Sequence, residues 1–288
     1  MYDILHVYVR FIIRNYFTVS KYLSYYLTQV ALNNFPTVNR LDSTVKGHDP
    51  VSYGFPTMAN DFPINHSTQE NSHPVHKLPA HHPSVTPCVH FMYANVRSLL
   101  NKITLLQYYI TSYDLHVICL TETWLSTDIP DALFTPAGYT SLRCDRKNSP
   151  GGGSVIIVKN ELCPSPFTFD FLYLTEAVAC IIELPDLHLK LAIVCIYRPP
   201  SYDVNSFDEC NAIIKKTMAF NYNHVIIAGD FNMPSINWTN SSYPPKYHSF
   251  MTVIDDHFLT QHIMDVTRPA SKTTSDLLFT SVGTPISD

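Results

Sequence analysis

Short apolar runs separated by turn residues dominate the chain from residue 89 to its end. VHFMYA at 89–94 has the β-branched and aromatic content of a strand. Residues 99–113 place apolar side chains at helical spacing, with Asn101 and Lys102 on the wet face, and HVICL at 116–120 is short and apolar enough for a buried strand. The same criteria predict strands at 139–143, 154–158, 177–183, 189–197, 224–228 and 276–280, and a second helix over 205–219. Pro185 and Asp186, between two apolar runs, mark a hairpin. So many strands with so few helices do not fit the regular alternation of a parallel doubly wound sheet. They predict an α/β fold in which two mixed β-sheets pack face to face, flanked by helices.

The pattern before residue 89 is different. Residues 1–35 are rich in Tyr, Ile, Val and Leu, yet Asp3, Arg10, Arg14 and Lys21 interrupt the apolar runs well short of the ~20 residues a bilayer span needs. They also lack the signal-peptide order of charge, short apolar core and small-residue cleavage site. An amphipathic helix is expected there, with an interfacial helix as the alternative. Residues 36–88 contain eight prolines and no period of two or 3.6 residues, which reads as a disordered linker. Six of the fourteen histidines fall between His66 and His90, at spacings that fit no closed zinc pattern. The expected organisation is thus an N-terminal segment at 1–35, a linker at 36–88 and one domain at 89–288.

Composition narrows the function classes. Hydrophobic residues make up 45% of the 288 and charged residues 15%, ample for a packed core. Lys and Arg number 19 against 24 Asp and Glu, a formal charge of -5. That argues against a broadly basic nucleic-acid coat, which gains affinity by neutralising many phosphates, but leaves room for an enzyme that meets a few phosphates through a metal. The seven cysteines are odd in number and form no CxxC pair, and several sit in apolar runs. Reduced core thiols and an intracellular setting, nuclear or cytoplasmic, are expected.

Candidate chemistry lies at strand ends, where side chains converge on rigid backbone. LTETWL at 120–125 closes one buried run and delivers Glu122; AGDFN at 228–232 closes another and delivers Asp230 and Asn232. A single acidic residue after a strand is ordinarily a helix cap or a solvated turn; two such ends together suggest more. Hard oxygen ligands of this kind suit Mg²⁺, which prefers one or two carboxylates plus phosphate oxygens and water. Asn95, closing the first strand, adds an amide that could orient a metal-bound water or a phosphate.

These residues resemble a known family. NVRS at 95–98, LTETWL, GGG at 151–153, YRPP at 197–200, GDFN at 229–232, SDLLF at 275–279 and the final SD at 287–288 occur in the order seen in the endonuclease/exonuclease/phosphatase superfamily. The series looks most like the endonuclease domain of LINE-type (non-LTR) retrotransposons and covers roughly 89–288. The resemblance implies a four-layer α/β sandwich and a Mg²⁺-dependent reaction, with Mn²⁺ as an alternative ion and DNA as the substrate. It implies Glu122 as the main metal carboxylate with Asn95 beside it, and Asp230 and Asn232 acting on the attacking water and the scissile phosphate. Tyr197 would donate to a phosphate oxygen, Asp276 would orient a histidine, and Asp288 matches the Asp of a terminal Ser-Asp-His motif. Tyr197 reads equally well as a core residue before the Pro-Pro turn, the three glycines as a plain turn, and Trp124 as packing at the sheet end.

Two departures from the family pattern accompany the resemblance. The sequence stops at Asp288, where the pattern places the histidine next, and no reverse transcriptase domain follows. Loss of such a general acid or base costs on the order of 10²–10⁴ in rate, and His257 and His262, expected in a surface helix or loop, are poor substitutes. Ser275 stands where an apolar residue is usual and is expected to loosen its strand. Two function classes follow: an impaired Mg²⁺-dependent DNA-nicking phosphodiesterase, or a non-catalytic remnant that keeps the fold. A superfamily phosphatase acting on a lipid or small-molecule phosphate is the further alternative.

Overall fold

The predicted strands all form, and the buried positions along them show what each face meets. The computed structural model describes residues 8–13 and 88–287, except 148, 171–173, 201–203, 269 and 285. Contacts divide the chain into residues 1–19 with 85–288, and residues 20–84; every described residue belongs to the first unit. The expected linker therefore lies outside the described residues, apart from Cys88.

The first sheet contains β1 (Tyr8–Ile13), β2 (Cys88–Asn95), β3 (Val117–Thr121), β4 (Tyr139–Cys144), β5 (Ser154–Lys159) and the short β12 (Ile286–Ser287), in the order β12-β1-β2-β3-β5-β4. The second contains β6 (Ser165–Phe167), β7 (Glu176–Leu184), β8 (Leu189–Tyr197), β9 (His224–Asp230), β10 (Thr260–Gln261) and β11 (Asp276–Thr280), in the order β10-β11-β9-β8-β7-β6. Both are mixed. The helix α1 (Ile103–Tyr113) covers the outer face of the first sheet through Leu106, Tyr109 and Ile110. Helices α2 (Val204–Met218) and α3 (His248–Asp256) cover the second through Phe207, Ile213, Phe250 and Ile254. Between the sheets, Phe91, Tyr93, Val117 and Cys119 meet Ile193, Cys195, Ile226 and Leu278. The four-layer sandwich follows because central strands such as β3, buried on both faces, need a partner layer on each side.

Two expectations fail. Tyr8–Ile13 is a strand and not a helix: it pairs in parallel with β2, from Tyr8↔Cys88 to Ile13↔Tyr93, and with β12. A parallel partner cannot be reached through a tight hairpin, and residues 14–87 separate the two strands in sequence, so local periodicity carries no trace of such a pairing. Ser275 does not loosen β11. It is buried, its N–H donates to Thr267 Oγ1 at 3.0 Å, and its carbonyl accepts the Phe231 N–H at 2.9 Å. The hairpin at Pro185 forms, with β7 and β8 antiparallel around a 3-10 turn. Six cysteines, Cys119, Cys144, Cys163, Cys180, Cys195 and Cys210, are free thiols, most of them buried, and no described helix is long and apolar enough to cross a membrane.

Candidate active site at one end of the sandwich

The ends of β2, β3, β8 and β9 and the start of the antiparallel β11 lie at one pole, and six of the seven predicted site residues sit there. Register brings them together: Asn95 pairs with Thr121, just before Glu122, while Asp230 stands opposite both Tyr197 and Asp276. Asn95 Nδ2 joins the two sheets by donating to Glu122 Oε1 at 3.1 Å and to Asp230 Oδ2 at 2.9 Å. A second link is Tyr93, whose buried hydroxyl donates to Asp276 Oδ1 at 2.7 Å and lies 3.0 Å from Thr121 Oγ1. Asp288 lies outside the described residues. Its neighbour Ser287 is in register with Arg10, which is in register with His90, at the other end of β2 from Asn95.

Strained backbone holds this pole. Arg97, Ser98, Glu122, Trp124 and Asn232 all have φ between 40° and 76°, a region that bulky residues enter only when their surroundings enforce it. Ser98 and Leu99 donate their N–H groups to the carbonyls of Glu122 and Thr123, while the Trp124 N–H bonds the Gly152 carbonyl. The triple-glycine run is therefore more than a turn. A Cβ at Gly153 would lie 2.6 Å from Thr123 Oγ1, so only glycine lets the Glu122 loop approach. Trp124 is half exposed.

The Asn232 turn is held by an arginine that the sequence reading left without a role. Arg198 is buried, with Nε donating to Ser206 Oγ at 2.9 Å and Nη1 to the carbonyls of Phe231 at 3.2 Å and Asn232 at 3.3 Å. Its guanidinium also lies 4.0 Å from the centre of the Phe207 ring, tying the turn to α2. In return, Asn232 Nδ2 donates to the Arg198 carbonyl at 2.7 Å and the Asn232 N–H to Asp230 Oδ1 at 3.2 Å.

Burial sets the electrostatics. It pushes the Asp230 carboxyl up to about 7, reinforced by the neighbouring Asp276 and opposed by Arg268, whose Nη2 lies 2.5 Å from Asp230 Oδ2. Asp276 is raised for the same reason, with the Tyr93 hydrogen bond acting against the shift. The Tyr197 hydroxyl is pushed up to about 12 by burial and then by Glu122 and Asp230, so it stays protonated and can donate. Tyr197 is thus both a buried residue and a member of the site, with Arg146 5.4 Å from its ring centre and ion-paired to Glu176 at 2.8 Å. A cleft of about 810 Å³ is lined by Arg143, Arg146, Lys147 and Glu176, and none of Glu122, Asp230 and Asp276 lines it.

The donors at Glu122 fit a hard divalent cation. The Asn95 amide nitrogen is committed to two carboxylates, so its Oδ1 is fixed as the acceptor, and that atom is buried with no hydrogen-bond partner among the described residues. A different group brings three imidazole or carboxylate ligand atoms within 4.8 Å of one another: His90, Asp114 and His116, at the opposite ends of β2 and β3. There His116 Nδ1 already accepts the His90 N–H at 3.1 Å, and Lys159 Nζ holds Asp114 at 2.9 Å. Two of the three groups are thereby engaged without a metal.

The family described as the Endonuclease/Exonuclease/phosphatase family matches residues 92–281. An AP endonuclease, LMAP, from Leishmania major superposes with a TM-score of 0.50 at 17% identity, over 67% of this chain and 78% of that one. The endonuclease domain of TRAS1, a telomere-specific non-LTR retrotransposon, gives 0.48 at 15% identity over 67% and 84%. The human Nocturnin catalytic domain gives 0.45 at 14% over 65% and 79%. The Leishmania likeness shows a shared fold. No curated protein matches the chain in sequence.

Proposed function

The chain belongs to the endonuclease/exonuclease/phosphatase family, and on that premise we propose that it is a divalent-metal-dependent phosphodiesterase that nicks DNA, of the type carried by LINE retrotransposons. The observation that carries this reading is the union of Glu122, Asp230 and Asp276, three carboxylates from two sheets bound together by Asn95 and Tyr93. The order of the LTETWL, GGG, YRPP and GDFN motifs supports the retrotransposon type.

Each residue has a task that its surroundings suit. Glu122 and Asn95 Oδ1 would hold Mg²⁺ or Mn²⁺, which when bound stabilises charge on the phosphate oxygens. Asp230, its carboxyl raised to about 7, takes the proton of the attacking water. Tyr197 donates to a phosphate oxygen as negative charge develops there. Asn232, held by Arg198, keeps Asp230 oriented through its N–H. Asp276 fixes the position of Tyr93 and the registry of the two sheets.

A fold-retaining remnant without turnover is the second reading. Asp276 is bonded to Tyr93, and Asp230 to Asn95, Asn232 and Arg268, none of them a histidine. Nicking of supercoiled plasmid by the full chain in Mg²⁺ and in chelator, beside Asp230→Ala, tests the two readings. Metal-dependent nicking that the substitution abolishes supports the enzyme. Equal and negligible nicking by both proteins supports the remnant. Hydrolysis of a phospholipid or inositol phosphate in place of DNA would keep the family chemistry and reject the retrotransposon substrate.

A further inference from the structure

Arg268 is absent from every motif considered above, yet its guanidinium is ion-paired with Asp230 at 2.5 Å. It sits in a tight hairpin in which the Thr267 and Arg268 N–H groups both donate to the Thr273 carbonyl, at 3.1 and 2.9 Å. Thr267 Oγ1 accepts the N–H groups of Ser275 and Asp276 at 3.0 and 3.2 Å, which staples the hairpin to the start of β11. Arg268 is therefore aimed at the site by backbone that the site itself fixes. The side chain is 28% exposed while that of Asp230 is fully buried, so a ligand arriving from solvent meets the guanidinium first.

The donor count points the same way. A guanidinium carries five N–H donors, and among the described residues one nitrogen, Nη2, has a hydrogen-bond partner, Asp230 Oδ2 at 2.5 Å. The remaining donors have no protein partner among the described residues, and the partly exposed side chain leaves them open to a ligand. A phosphodiester approaching this pole meets three carboxyl groups and needs a cation beside them. Two other arginines lie near: Arg97 is 3.9 Å from Glu122 with 65% of its side chain exposed, too loosely placed to orient a ligand, and Arg146, against the Tyr197 ring, has its fork committed to both oxygens of Glu176. A planar fork already anchored at one corner offers the complementary geometry for phosphate oxygens.

We propose that Arg268 is a substrate-binding residue of this site, taking a non-bridging oxygen of the phosphate with its free N–H groups while Asp230 anchors it. This rests on the phosphodiesterase reading above for the identity of the ligand. A purely structural counter-ion for Asp230 would need only its charge, and a phosphate clamp needs the fork; that difference makes the roles separable.

The full chain, Arg268→Gln and Arg268→Lys are titrated with inorganic phosphate by calorimetry in the presence of Mg²⁺, and plasmid nicking is followed for KM and kcat. The expected result is a loss of phosphate affinity of about ten- to a hundred-fold in Arg268→Gln, the size of a hydrogen bond to a charged group. KM should rise more than kcat falls, Arg268→Lys should restore only part of the loss, and the salt slope of DNA binding should drop by about one contact. Because Arg268→Gln leaves Asp230 without its counter-charge, the comparison is repeated in an Asp230→Asn background, where that charge is not needed for folding. Unchanged phosphate affinity on Arg268→Gln in the parent background, full rescue by Arg268→Lys, or no phosphate binding by the parent chain would each overturn the proposal. A parent chain that binds phosphate through Arg268 but hydrolyses no phosphodiester would reject the phosphodiesterase reading and retain the Arg268 subsite.

Discussion

The two ends of strands β2 and β3 carry similar side chains in opposite circumstances. At one end Glu122, Asp230 and Asp276 are drawn inward, the two aspartates fully or almost fully buried, and are satisfied by an amide, a phenol and an arginine. At the other end Asp114 and Glu161 lie at the surface, paired with Lys159 at 2.9 and 3.3 Å and close to His116. Charge type does not distinguish the ends; desolvation does. A buried carboxylate is raised in pKa and poised for proton transfer, whereas an exposed pair is screened by water and contributes little. The backbone does not follow that division: Arg97, Ser98, Glu122 and Trp124 are left-handed at the buried end, and so is Asp114, which caps α1, at the exposed one.

The largest separation between the ends is expected in the metal response. Glu122→Gln should abolish Mg²⁺-dependent stabilisation, which at a hundred times the dissociation constant amounts to about 2.7 kcal/mol, and should slow nicking by about 10²-fold or more. Asp114→Asn should leave both intact. Thermal melts with and without Mg²⁺, beside the plasmid assay, check this; equal metal responses from parent and Glu122→Gln would remove Glu122 from the metal site.

Next in size is the support beneath the buried end. Arg198→Ala removes at least three hydrogen bonds and the contact with Phe207, and should lower unfolding stability in urea by about 3 kcal/mol. Nicking should fall further than the lost folded fraction explains, because the Asn232 turn is released.

The pH dependence of the metal-free protein separates the ends again. Asp230 titrates at about 7 when folded and near 3.8 otherwise, so folding favours its protonated form. The stability from this group is fully present below pH 3.8 and lost as pH rises through about 7. In chelator, melting temperature should fall across that window, and Asp230→Asn should flatten the fall and melt higher than the parent at pH 8. A parent profile that rises across the window would contradict the burial of Asp230. The smallest effect belongs to the exposed end: Lys159→Ala should change stability by less than about 1 kcal/mol at physiological salt, and nicking not at all.

Elements whose evidence is local were legible in the sequence. Strands 189–197 and 276–280 match to the residue, and 154–158 and 224–228 extend by one and two residues, because a run buried on both faces is continuous and β-branched whatever it packs against. The carboxylates at their ends were legible for the same reason: a strand that stops at the sheet rim presents its next residues there. Less local features escaped. β1 looked helical because its partner lies beyond residues 14–87, and Ser275 looked like a flaw because the Thr267 hydroxyl that pairs its N–H lies eight positions away on another loop.

The two arginines mark the boundary most clearly. Arg198 stood inside a motif and Arg268 outside all of them, and neither position reveals a partner. By itself the sequence determined the alternation that builds two sheets and the strand ends that offer Asn95, Glu122, Tyr197, Asp230 and Asp276. Only the tertiary structure decided that Asn95 would bridge the sheets, that Arg198 would lie buried under the Asn232 turn and that Arg268 would reach Asp230. The reason is physical. Periodicity follows from the neighbours along a chain, whereas a charge's partner and its degree of desolvation are set by strands brought together from more than a hundred residues apart, as Asn95 and Asp230 are.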